Sequence, residues 1–182
     1  NAPEDLAALL RDERIGAVVI GPGLGQSDTA RQWLDIALAS DRRLVLDADA
    51  LTLLDADYET VLRRAPQTWI TPHYGEWSSL IGDSILEYGK LARTAWLAEE
   101  GWGVIFKGAD TVIGTPEGAA VLDRLAPSWL STAGTGDVLS GVLAARMAIR
   151  QGDWCCGREA AWLHMRAAEL AGAAFTADAL IG

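Results

Sequence analysis

Short runs of β-branched and aliphatic residues alternate along this chain with longer stretches of helical spacing, and that alternation restricts the fold more than any other feature. "GAVVIG" (16–21), "RLVLDAD" (43–49), "TWIT" (68–71, ending at Pro72) and "GVIFKG" (103–108) read as strands. Residues 28–39, 49–55, 74–82 and 86–100 carry helical spacing between them. A helix over 3–13 precedes them, with Pro3, Glu4 and Asp5 in its first turn. "TVIGTPEGAAVL" (111–122) predicts a strand leading into a hairpin that turns at Pro116–Gly118. Two Ala-rich helices, Gly134–Arg150 and Arg158–Ala174, follow. Strands interleaved with helices of this length make an α/β fold with a mainly parallel sheet. No internal repeat or low-complexity linker divides the chain, so residues 1–182 read as one domain.

Composition removes several classes of function. With 182 residues and 50% of them hydrophobic, the chain can bury a sizeable core, and no apolar run approaches the length of a membrane span. A net charge of −10 argues against a nucleic-acid partner, which needs clustered Lys and Arg. It leaves room for a small phosphorylated ligand held by local N–H groups and one or two cations. The only cysteines, Cys155 and Cys156, are adjacent and cannot readily staple a fold. They point to a reducing, cytoplasmic setting. No signal peptide is visible, but the first residue is Asn1 rather than Met, so a targeting segment ahead of it stays open.

In open parallel sheets, ligands bind outside the carboxyl ends of the strands. Every unusual cluster of this sequence lies there: Gly21–Gly25, Asp47 and Asp49, Thr71–Glu76, Lys107–Thr111, and the loop leading to Asp137. "GPGLG" with Asp47 downstream imitates a dinucleotide fingerprint, but Gln26 stands at the third glycine position and Gly25 comes one residue early. Asp49 suits a helix cap, and Asp47 a cation or loop amides. In "TPHYGEW", His73 and Glu76 are spaced to face one cleft; Glu76 either orients water on Mg²⁺ or caps a helix. Lys107, followed by Gly108 and Thr111, offers a point charge where backbone can approach a phosphate. The P-loop pattern is absent. In "STAGTGDVLSG", the amides of Gly134, Thr135 and Gly136 make an anion nest at a helix N-terminus. The field of that terminus favours a carboxylate at Asp137, which can accept the proton of a hydroxyl undergoing phosphorylation. The competing reading is a capped helix whose small residues pack on the sheet; four clusters at one end of that sheet weigh towards a site.

These residues resemble a known group. A helix-opening G-T-G-D, a T-P-x-x-x-E segment and a Lys-Gly strand end are similar to the ribokinase-like superfamily. "GPGLG", "LDADAL", "TPHYGEW", "FKGADTVIGTPEG", "WLSTAGTGDVLSGVLAA" and "AAWLHMRAAELAG" together resemble the NAD(P)H-hydrate dehydratase family from about Ile15 onward. The resemblance implies a three-layer α/β/α fold and nucleotide-dependent conversion of hydrated NADH or NADPH back to the working cofactor. The hydroxyl would be phosphorylated and then eliminated. Gly23, His73 and Asp137 would contact the hydrated substrate, with Asp137 catalytic. Lys107, Gly108, Ala109, Asp110, Thr111, Gly134, Thr135 and Gly136 would hold ADP or ATP, and Glu76 would organise Mg²⁺ through water. The resemblance also implies a homo-oligomer, commonly a tetramer.

The pattern departs from the family at Tyr74, where bacterial members have Pro or a small residue. The family's domain also begins before Asn1, with a strand, a glycine-rich turn and a helix pair, so these residues correspond to its C-terminal two-thirds. Reduced or absent activity of the 182 residues by themselves is therefore expected. A thiazole or hydroxymethylpyrimidine kinase of the same fold and an inactive nucleotide-binding fragment are the rival readings.

Overall fold

The computed structural model describes residues 3–54, 67–81, 88–122, 125–150 and 153–182. Four strands, β1 (Ala17–Ile20), β2 (Arg43–Leu46), β3 (Thr68–Ile70) and β4 (Gly103–Phe106), lie side by side in sequence order and run parallel. Val18 stands opposite Leu44, Val45 opposite Trp69, and Ile70 opposite Val104. The predicted hairpin completes the sheet as antiparallel β5 (Val112–Thr115) and β6 (Gly118–Val121).

Side chains alternate across a strand, and that period of two builds two cores. Leu44, Leu46, Ile70, Val104 and Phe106 pack with the helices on one face: α2 (Asp28–Leu38), α3 (Asp49–Leu54), α4 (Tyr74–Ile81) and α5 (Lys90–Glu99). Their neighbours in sequence, Val45, Trp69 and Ile105, join Leu139, Leu143 and Met147 of α6 (Thr135–Ile149) and Cys156 and Ala160 of α7 (Cys155–Ala171) on the other. The result is the expected three layers. Because β1 to β4 are parallel, all four exits open at one end, beneath the start of α6.

Several helix boundaries move; α5, expected over 86–100, begins only at Lys90, after Gly89 in extended backbone. The predicted first helix is shorter, α1 (Pro3–Leu9), because the backbone tightens after it into three-residue turns such as Asp12 N–H to Leu9 O at 3.0 Å. Helix α7 begins three residues before Arg158, with the Asp153 carboxylate accepting the Cys155 N–H at 2.8 Å, and ends before Gly172, whose φ is +81°. Both cysteines therefore lie in its first turn. Residues 55, 82 and 86–87 of the predicted helices lie outside the described residues. No helix among the described residues is long and apolar enough to cross a membrane.

Candidate active site

The exits of β1 and β2 are pressed together. A Cβ at Gly21 (φ +129°) would stand 1.7 Å from the Asp47 carbonyl oxygen, so only glycine fits there. Ala48, next along, takes a left-handed φ of +48°. This backbone turns the Asp47 side chain inward, where it is 1% exposed and fully bonded. Oδ1 accepts from the Ala48 N–H at 2.9 Å and from Lys107 Nζ at 2.8 Å, and Oδ2 from Ser140 Oγ at 2.6 Å. Thr71 Oγ1 lies 3.2 Å from the same Ser140 hydroxyl. Asp47 thus faces a lysine and α6, not a ribose, and the dinucleotide reading of "GPGLG" has no geometric support. Asp49 accepts the Gly25 N–H at 2.8 Å, so its carboxylate braces that loop.

After β3, His73 and Glu76 bond reciprocally. The Glu76 N–H donates to His73 Nδ1 at 3.0 Å, and the His73 N–H donates to Glu76 Oε2 at 2.8 Å. This is the arrangement of a capping box with histidine in place of Ser or Thr. It commits Nδ1 as an acceptor, so the neutral ring carries its proton on Nε2.

Lys107 leaves β4 and turns into the site instead of out to solvent. Its ammonium sits between Asp47 at 2.8 Å and Glu76 Oε2 at 3.7 Å. It also lies 3.4 Å from where a Cβ on Gly136 would stand, directly beside the first turn of α6. That turn opens at Gly134 in a left-handed conformation (φ +86°) with no side-chain cap. Thr135 is buried; its hydroxyl donates to the carbonyls of Leu130 (2.6 Å) and Thr132 (2.9 Å), and its N–H reaches Thr132 O at 3.3 Å. Of the predicted nest, the Thr135 N–H is taken up by the loop, while the Gly134 and Gly136 N–H groups have no acceptor among the described residues. Nor does any described acceptor take the Asp137 N–H.

These groups line one cleft of about 780 Å³. Of the predicted site residues it brings together His73, Glu76, Lys107, Gly108, Ala109 and Gly134–Asp137. Gly23, Asp110 and Thr111 are not among its walls. Gly23 stands in open space on its own loop, Asp110 is ion-paired with Lys90 at 3.0 Å, and the Thr111 hydroxyl closes the turn onto Gly108 O at 2.9 Å. Ala126, Pro127, Ser128 and Leu130 line it as well, and the Ala126 N–H donates to Ala109 O at 2.8 Å.

A family model described as NAD(P)H-hydrate dehydratase matches residues 1–180. The chain belongs to the NAD(P)H-hydrate dehydratase family. Among its relatives, the bifunctional NAD(P)H-hydrate repair enzyme Nnr of Gloeobacter violaceus is 37% identical over 158 residues, 86% of this chain and 31% of that protein. The chain spans about a third of such curated relatives. The crystal structure of the ADP/ATP-dependent NAD(P)H-hydrate dehydratase from Bacillus subtilis, co-crystallised with ATP/Mg²⁺ and soaked with CoA, matches with a TM-score of 0.76 at 26% identity. That match covers 98% of this chain and 68% of the other. A ribokinase-like superfamily protein from Enterococcus faecalis matches at 0.80 and 24% identity, over 98% of this chain and 65% of that one. The fold is ribokinase-like.

Sequence reasoning missed three residues that shape this family member's cleft. His164 of α7, 8% exposed, lies with Nε2 2.8 Å from the Thr135 carbonyl. Burial pulls its ring below the usual 6.5, the Thr135 hydrogen bond pulls the other way, and the Lys107 charge adds to the lowering. Its only signal was its spacing from the buried Ala160, Ala161 and Ala168 on one helix face. Ser140 was hidden in an apolar run. Lys90 belonged to no motif at all.

Proposed function

We propose that this chain carries the nucleotide-dependent dehydration of hydrated NADH or NADPH. The carrying observation is the meeting, at one mouth, of the Gly136 and Asp137 amides, the Lys107 ammonium and the exposed Asp137 carboxylate, in a chain of this family. Amides and ammonium are the donors a polyphosphate needs. The carboxylate is placed to accept the proton of the substrate hydroxyl as its oxygen bonds to the terminal phosphorus of ADP or ATP and the phosphoanhydride bond breaks. Phosphate then leaves with the C–O electron pair, driven by the lone pair of the ring nitrogen, and loss of a ring proton restores the dihydronicotinamide. In this reading His73 donates from Nε2 to the hydrated nucleotide, Gly23 contacts it from the neighbouring loop, and residues 107–111 with Gly134–Gly136 seat the nucleotide.

Magnesium fits this donor set only as a companion of the nucleotide. Among the described residues no three His, Cys, Asp or Glu side chains converge as a metal cage. Mg²⁺ keeps most of its waters when bound through phosphates, so Glu76 would hold it from outside that water shell. The metal would neutralise phosphate charge.

The test mixes the chain with hydrated NADH and Mg²⁺, with ADP, with ATP or with neither, and follows the dihydronicotinamide absorbance. A nucleotide-dependent rise, smaller than a whole family domain gives, is expected, slowed about a hundredfold or more by Asp137→Asn. A stable phosphorylated alcohol with no such rise would make the chain a small-molecule kinase instead.

A further inference from the structure

Lys90 opens α5, seventeen residues before Lys107, and its ammonium is enclosed by the back of the loop after β4. It donates to the carbonyls of Lys107 (3.1 Å) and Asp110 (2.8 Å) and to Asp110 Oδ1 (3.0 Å). Three donors meet three acceptors. The charge also lies 4.6 Å from the centre of the Phe106 ring, which stacks at 4.5 Å and 3° on Trp77, the residue after Glu76. Gly108 (φ +151°) makes room for it, since a Cβ there would come within 2.7 Å of Nζ. A lysine head normally stays in water, yet this side chain is only 18% exposed.

The consequence follows from peptide geometry. In a planar trans peptide the C=O and the next N–H point in opposite directions. Drawing the Lys107 carbonyl back onto Lys90 therefore turns the Gly108 N–H the other way, and Gly108 lines the cleft. No acceptor among the described residues takes that N–H. We propose that Lys90 is a positioning residue for the nucleotide: by holding two carbonyls of the 107–110 turn from behind, it presents the Gly108 amide, next to Lys107, to a phosphate in the cleft. The inference rests on reading residues 107–111 as the nucleotide's seat.

The experiment measures ADP binding in the presence of Mg²⁺ by calorimetry, and hydrogen exchange of amides 107–111 without ligand. It compares wild type with Lys90→Met, which keeps the stem on Phe106 and loses the donors, and with Lys90→Arg, which keeps charge and donors. Lys90→Met is expected to raise the ADP Kd about tenfold and to speed exchange in the loop; Lys90→Arg should recover most of the affinity. The KM for hydrated NADH should not move. Asp110→Ala removes one acceptor, with its charge, on an exposed side chain and should raise the Kd about threefold, a reading that survives if Lys90→Met fails to fold. Wild type and Lys90→Met binding ADP alike would overturn the inference and leave the proposed function standing. Equal losses in Met and Arg variants would reduce Lys90 to a structural role. No binding by wild type would overturn both.

Discussion

A carbonyl oxygen only accepts, so the contact of His164 with Thr135 O places a proton on Nε2, while burial disfavours the charged ring. The sign of its pH effect follows. Its folded pKa lies below 6.5, so as pH falls past 6.5 the unfolded chain takes up a proton that the folded chain refuses. The stability it contributes is complete above 6.5 and drains away as pH falls towards the lower folded value. Calorimetric melts between about pH 7 and 5.5 should show the melting temperature of His164→Gln falling less steeply than wild type, because glutamine can still donate but does not titrate. Parallel slopes would mean that the folded chain protonates this ring as readily as the unfolded chain does. At this scale the sequence is least legible. The ring's partner lies 29 residues away on another helix, and nothing in "AAWLHMRAAELAG" announces a carbonyl above it. Cys156 is the contrary case: an unpaired thiol beside a second one reads as unremarkable, and it is so, buried with its pKa pushed up to about 12 and inert.

Element existence was legible because each strand is a compact apolar run and each helix a longer periodic one, but the start of α7 was not. The helical, Ala-rich pattern places the expected start at Arg158, just after Gly157. In the fold Gly157 is a helical residue whose missing side chain admits the Trp69 indole: a Cβ there would lie 2.0 Å from the ring. Gly103 on β4 meets the same indole at 2.0 Å, so Trp69 fills a slot between sheet and helix that two glycines leave open. Helix propensity alone would make Gly157→Ala stabilising by about 1 kcal/mol. Overlap with a fully buried indole, against a close-packed sheet, outweighs that, and a net loss of about 2–3 kcal/mol is expected in urea melts. Trp69→Phe in the same chain should restore part of the loss, since the smaller ring vacates the slot. A more stable Gly157→Ala protein would show that α7 does not seat against Trp69 as described.

Across the whole molecule the cleft straddles the sheet. His73 and Glu76 come from the layer of α4, while Asp137 and His164 come from α6 and α7 behind it. The rule that ligands gather at parallel strand exits made the location readable from sequence, and the family pattern made the motifs readable. What joins the layers was not, because Asp47 binds Lys107 from 60 residues away and Ser140 from 93. Only the finished fold brings them within bonding distance. Asp47 is therefore the joint on which both cores and the cleft floor meet, and its removal tests the architecture. Stranding a partner of a fully buried pair costs about 3–5 kcal/mol, but Lys107 is 20% exposed and has Glu76 at 3.7 Å as a second partner. A loss of about 2–3 kcal/mol is thus expected for Asp47→Asn, and about 1–2 kcal/mol for Lys107→Met. Residues in direct contact couple, so the double variant should be at least about 1 kcal/mol more stable than the sum of the single losses predicts. Urea melts of the four proteins measure this directly. Strict additivity would mean that the ion pair does not form in solution and that the two layers meet at the cleft floor without it.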